Sequence, residues 1–165
     1  MGIERRVAEL HRYVDFGDAD ARLLEGIGQA LAPDFPRIAR EFYDRTREYD
    51  EAHAVFTGEE QIERLQRSMQ DWLKRLFAGV YDAEYYARTE RVGDVHVRIG
   101  LPQRFMFTAM ACLRLELVRL IDARAGERAS ATRAALNKAL DVELAVMLDA
   151  YHDAALARID RHEAM

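Results

Sequence analysis

Along this chain the apolar positions recur every three to four residues over long stretches, and the breaks between stretches fall at glycine, proline and short acidic runs. That period is helical, and no two-residue alternation competes with it, so the pattern predicts an all-α protein. A short amphipathic helix over about 3–14 is followed by "FGDADARLL", where Asp18 or Asp20 can cap a second helix ending near 31. "PDFPRIAREFYDRTREY" opens a third helix. Pro33 and Pro36 are tolerated near its first turn because the amides they lack would be unpaired there. A turn, "DEAHAVF", leads to Thr57 and Glu60, which have capping-box spacing, so the next helix is expected from about 58 to Gly79.

"DAEYYARTERVGDVHVRI" forms the fifth long segment, stopped by Gly100 and by Pro102, whose ring disfavours helical geometry at Leu101. Pro102 can itself start the following helix, which ends before Gly126. The last helix runs from about 128 to the C-terminus without Gly or Pro. Its apolar residues, among them Leu136, Leu140, Val142, Leu144, Met147 and Tyr151, spread round most of the circumference, and the preceding helix shows a similar excess at Leu113, Leu115, Leu117, Val118 and Leu120. One core-facing stripe needs less, so a second buried face is expected, in a homodimer that joins the last two helices of each subunit into a four-helix bundle. No repeat and no flexible linker interrupts residues 1–165, which read as one domain.

Half of the 165 residues are hydrophobic, enough for a sizeable core with room for a small cofactor. The net charge of −5 gives no broad basic surface for nucleic acid or anionic lipid, so neither nucleic acid nor membrane is expected as a partner. No apolar run approaches the roughly 20 residues that span a bilayer, and "MGIERRVAELHRY" lacks the apolar core of a signal peptide. A cytoplasmic location is the expectation.

The chemistry concentrates in "RVGDVHVRIGLPQRF", residues 91–105. His96 has Val92, Val95 and Ile99 at i−4, i−1 and i+3, which places its ring on an apolar helical face. Gly93, three residues earlier, would let a flat ligand or another backbone approach closely. No other histidine, cysteine or carboxylate stands at i±3 or i±4, so the helix alone does not build a zinc site. Either His96 is a core histidine satisfied by backbone groups, or it is the single imidazole ligand of a metal in an apolar surround. In the third helix Tyr43 borders the stripe of Phe35, Ile38, Ala39, Phe42, Thr46 and Tyr49, where its hydroxyl can enter a cavity or reach water. In the fourth, Ser68 shares the face of Leu65, Met69 and Trp72, and can either serve a site or bond back to the preceding turn.

"VGDVHVRIGL" is similar to the proximal-histidine segment of the globin domains of globin-coupled sensors, and "FYDRT" resembles their distal-tyrosine segment. The resemblance covers the whole chain, including the extra N-terminal helix, and the separation 96 − 43 = 53 residues agrees with it. It implies a globin fold of the sensor type binding haem b, with His96 as axial ligand of the iron and Tyr43 on the distal side. Cys112 is the only cysteine and no C-x-x-C-H occurs, so the haem would be held non-covalently. Ser68 and Leu65 match distal positions, and Phe56 matches the phenylalanine wedged against the haem. Met69, Trp72, Val92, Val95, Ile99, Met106 and Phe107 are the expected pocket wall, with Arg91 or Arg98 able to meet the propionates. The implied role is to sense O2, with CO and NO as further ligands, and to signal through Gly100–Pro102 and the dimer to a C-terminal output module. Residues 1–165 would then be the N-terminal input part of a longer signalling protein, with no enzyme activity of their own. Two alternatives compete: a redox globin such as an NO dioxygenase, and a haem-free globin-like interaction module. No flavin or nicotinamide fingerprint supports the first, and His96 with Tyr43 in register speaks against the second.

Overall fold

Eight α-helices and no strand are found among residues 2–164, the part described by this computed structural model. They are α1 (Ile3–Tyr13), α2 (Asp18–Leu31), α3 (Phe35–Thr46), α4 (Asp50–His53), α5 (Glu59–Leu76), α6 (Ala83–Arg98), α7 (Gln103–Arg124) and α8 (Ala129–Glu163), with 3-10 turns at Ala32–Asp34 and Gly126–Arg128. The all-α expectation holds, and the boundaries show which local signals won. Asp20, rather than Asp18, closes the start of α2 by accepting from the Gly17 amide at 3.0 Å. Pro36 sits in the first turn of α3. The expected turn "DEAHAVF" contains the single helical turn α4.

The Thr57–Glu60 capping box does not form. Gly58 occupies the N-cap of α5 at φ 156°, and the Gln61 side chain takes the Thr57 amide instead, at 2.7 Å. α5 also stops at Leu76, three residues before Gly79, which lies in the left-handed region at φ 80°.

α8 is the axis of the molecule: α6, α7, α2 and α1 all pack on it, while α3 packs on α5 and α7. The segment Val142, Glu143, Leu144, Val146 and Met147 is buried on every side. This corrects one expectation, because neighbours in the same chain cover most of the apolar circumference of α8. The main core joins α2, α3, α5, α7 and α8 around Leu31, Phe35, Leu73, Leu117 and Leu140. A smaller cluster of Val7, Tyr85, Tyr86, Val142 and Val146 seats α1 against α6 and α8. Arg6 ties that helix down through Glu90 of α6 at 2.8 Å and Asp149 of α8 at 2.7 Å. No helix among the described residues is long and apolar enough to cross a membrane.

Candidate functional site

Asp82 starts α6 by accepting from the Tyr85 amide at 2.9 Å, which sets the rotation of everything that follows. The face toward α8 and α1 is Tyr85, Tyr86, Thr89 and Gly93, all buried. A Cβ placed on Gly93 would stand 3.1 Å from both the Cα and the carbonyl oxygen of Met147 and 3.2 Å from the Ala150 Cβ. Of the two purposes open to this glycine, the backbone of α8 claims it and a flat ligand does not.

At 100° per residue, His96 falls on the flank of α6 beside that contact, together with Val92. Val92 is 37% exposed, and Val95, His96 and Ile99 are half-buried. The Nδ1 atom of His96 is enclosed with no partner among the described residues. Burial pushes the imidazole down to about 4, so the ring is neutral at neutral pH and keeps a lone pair for a metal.

The end of α6 is locked. The Leu101 amide donates to the His96 carbonyl and the Gly100 amide to the Val97 carbonyl, each at 3.1 Å, with Gly100 at φ 79°. This is a Schellman closure, and it requires the glycine.

On α3, Tyr43 is held between Phe42, whose ring centroid lies 5.0 Å away, and Phe56, at 6.0 Å, both edge to face. Burial pushes its phenol well above the usual tyrosine range, so it is a proton donor at any physiological pH. Leu65, Met69 and Trp72 on α5 are half-buried, and Met69 and Trp72 lean with Phe42 on the main core.

The structure therefore brings Tyr43 to Phe56 and holds Met69 and Trp72 beside the same core. Ser68 is exposed, against the expectation that it shares the buried face of α5. The reason is rotation: Ile62, Leu73 and Leu76 set the inward face, and Ser68 lies outside it. Two expected wall residues are also turned outward, Val92 at 37% and Phe107 at 41% exposure, whereas Met106 is a core residue at 3%. Arg91 and Arg98 are exposed. Arg91 borders a surface groove between α6 and α8 with Glu90, Asp94, Asp149 and Asp153, away from both His96 and Tyr43.

Apart from Met106, every expected site residue lies outside the fully buried core. The helices bearing them pack on different neighbours: α6 on α8 and α1, α5 on α3, with no extended contact between the consecutive helices α5 and α6. A neutral imidazole with an enclosed, unpartnered nitrogen beside the half-buried Val95 and Ile99 fits a haem, whose iron takes one imidazole and whose macrocycle needs apolar walls.

One polar group of the core escaped the sequence reading. Glu143 is 1% exposed on α8, facing Tyr85, Thr89 and Trp72. The signal was a lone acid inside "VELAVML".

Comparison with known proteins agrees with this architecture. The Protoglobin family model matches residues 3–157. The heme-based aerotactic transducer HemAT of Halobacterium salinarum is 31% identical over 84 residues, half of this chain and 16% of the transducer, so the chain spans only a small part of that relative's length. The globin domain of the Geobacter sulfurreducens globin-coupled sensor superposes with a TM-score of 0.82 at 29% identity, covering 87% of this chain and 96% of that domain. The globin domain of Escherichia coli DosC superposes at 0.71 with 17% identity, over 89% and 98% of the two chains, a likeness of fold. The chain belongs to the protoglobin family and has the fold of the globin domain of a globin-coupled sensor.

Proposed function

We propose that this domain is the haem-based gas-sensing input of a signalling protein, with O2 as its ligand and CO and NO as alternatives. The observation that carries the reading is His96: a neutral imidazole with an enclosed, unpartnered nitrogen, on an apolar flank that the protein's own helices leave half-covered. When bound, haem b supplies an iron with one coordination position open to a diatomic gas.

The chain's own residues do the rest. His96 would ligate the iron of a haem held without covalent bonds, with Leu65, Met69, Trp72, Val95 and Ile99 as its apolar surround, and Phe56 keeps Tyr43 in place. The Tyr43 hydroxyl would donate a hydrogen bond to a gas carrying partial negative charge, a role closed to a phenolate. The output lies beyond residues 1–165, consistent with a transducer relative of which this chain covers 16%.

An absorption spectrum of the purified protein, under air and after reduction, tests the reading. A Soret band that shifts on reduction and again with CO is expected, and its loss in His96→Ala. Colourless protein after haem reconstitution, or an unchanged spectrum in His96→Ala, refutes it.

A further inference from the structure

The α6–α7 corner is fastened to α8 at a point the sensing reading does not use. Leu101 donates its amide to the His96 carbonyl at 3.1 Å, and its own carbonyl accepts from the Tyr151 hydroxyl at 2.9 Å. One residue, Leu101, therefore links the backbone of His96 to a side chain 55 residues later. Pro102, at the N-cap of α7, keeps Leu101 out of helical geometry, so the Leu101 carbonyl belongs to neither helix and accepts from Tyr151 instead.

The second fastening lies one turn back along α8. Met147 and Ala150 fill the notch at Gly93, so residues 147–151 grip the histidine segment both before and after His96. Gly93 leaves α6 no room to slide across α8, because the nearest atoms are backbone. The Tyr151 bond leaves the corner no freedom to tilt away from it. Leu148, the neighbour of Met147, packs on the main core and takes no part in the hydrogen bonds that hold the corner.

We propose that Tyr151 is a positioning residue for His96: by holding the Leu101 carbonyl it makes the imidazole segment and residues 147–151 of α8 move as one unit. The proposal rests on the sensing function for its meaning, but the mechanical link does not need a cofactor. It places the transfer of motion on α8 directly, ahead of any path through Gly100–Pro102 and α7.

The test compares Tyr151→Phe, which removes one hydroxyl, with Leu148→Ala, which loosens the same turn and leaves both corner hydrogen bonds in place. In the cofactor-free full chain, hydrogen exchange at the Ile99, Gly100 and Leu101 amides should rise about fivefold in Tyr151→Phe, the equivalent of one ordinary hydrogen bond, and stay unchanged in Leu148→Ala. In the reduced, haem-loaded chain, the iron–imidazole stretching band in resonance Raman should shift or broaden in Tyr151→Phe only. Equal changes in both variants, or none in Tyr151→Phe, overturn the proposal. Failure of the chain to take up haem would instead remove the sensing function, while the exchange measurement still decides the link.

Discussion

The carboxyl of Glu143 faces the hydroxyl of Tyr85 in the core, and neither the Glu143 Oε1 nor the Tyr85 Oη makes a fully formed hydrogen bond. Burial raises the Glu143 carboxyl up to about 7, against the smaller opposing pull of Tyr85, Thr89, Trp72 and Arg75. Tyr81 and Tyr86 stand close enough to feel its charge, and His11 bonds Tyr86 at 2.8 Å. An acid whose folded value lies above its unfolded value binds extra protons in the folded state. Its stabilising contribution is complete below about 4 and is lost as pH rises through about 7, a total of roughly 3 kcal/mol. The neutral His96 imidazole titrates in the opposite sense, so the difference between wild type and Glu143→Gln isolates the carboxyl. Urea denaturation from pH 4 to pH 8 should show that difference changing in favour of Glu143→Gln as pH rises. A pH-independent difference would show that the carboxyl does not titrate in the core.

Tyr43→Phe keeps the ring contacts to Phe42 and Phe56 and deletes only the donor. A hydrogen bond to a partly charged acceptor contributes roughly 1.5–3 kcal/mol. Stopped-flow measurement should show oxygen leaving about tenfold faster or more, with CO release nearly unchanged because CO carries less charge. Equal acceleration for both gases would mean that the phenol acts by bulk alone.

Two glycines in α2 should respond oppositely to alanine. A Cβ on Gly28 would stand 2.9 Å from the Phe77 carbonyl oxygen and 3.1 Å from its Cβ, whereas one on Gly26 meets nothing within 4 Å. Gly28→Ala should cost about 1–3 kcal/mol by overpacking a backbone contact. Gly26→Ala should gain up to about 1 kcal/mol from helix propensity. Chemical denaturation of both variants decides it, and a stabilised Gly28→Ala would mean that α2 and the end of α5 are not in contact.

The helices were legible because their apolar period and their glycine and proline breaks are local signals, and the errors came where two local signals competed. Thr57 and Glu60 matched a capping box, but Gln61 reached the same amide from one residue further on. Ser68, Val92 and Phe107 were assigned inward by spacing alone, which fixes relative angle on a helix but not the absolute rotation that Gly93 against Met147 sets for α6. His96 and Tyr43 were identified by motif resemblance, since either residue read singly suits an ordinary core edge. Tyr151 was invisible because its partner is a backbone carbonyl fifty residues away, and no pattern of side chains encodes that.

The expected homodimer would rest on fewer residues than the apolar circumference of α8 implied, because Leu140, Leu144 and Met147 are covered within the chain. What remains outward on the last two helices is Leu115 at 70% exposure, Leu156 at 47% and Ile159 at 53%, with Phe107 near the start of α7. Exposed large apolar side chains on adjacent helices are what a self-complementary two-fold interface uses. Replacing Leu115 and Ile159 together by Asp leaves the buried core intact and puts a charge at two of these exposed positions. Sedimentation should then show a dimer in the wild type and a monomer in the double variant, at equal helicity. If the wild type sediments as a monomer, or if the variant stays dimeric, these side chains do not form the interface, and the signal that leaves α8 must travel along a single subunit.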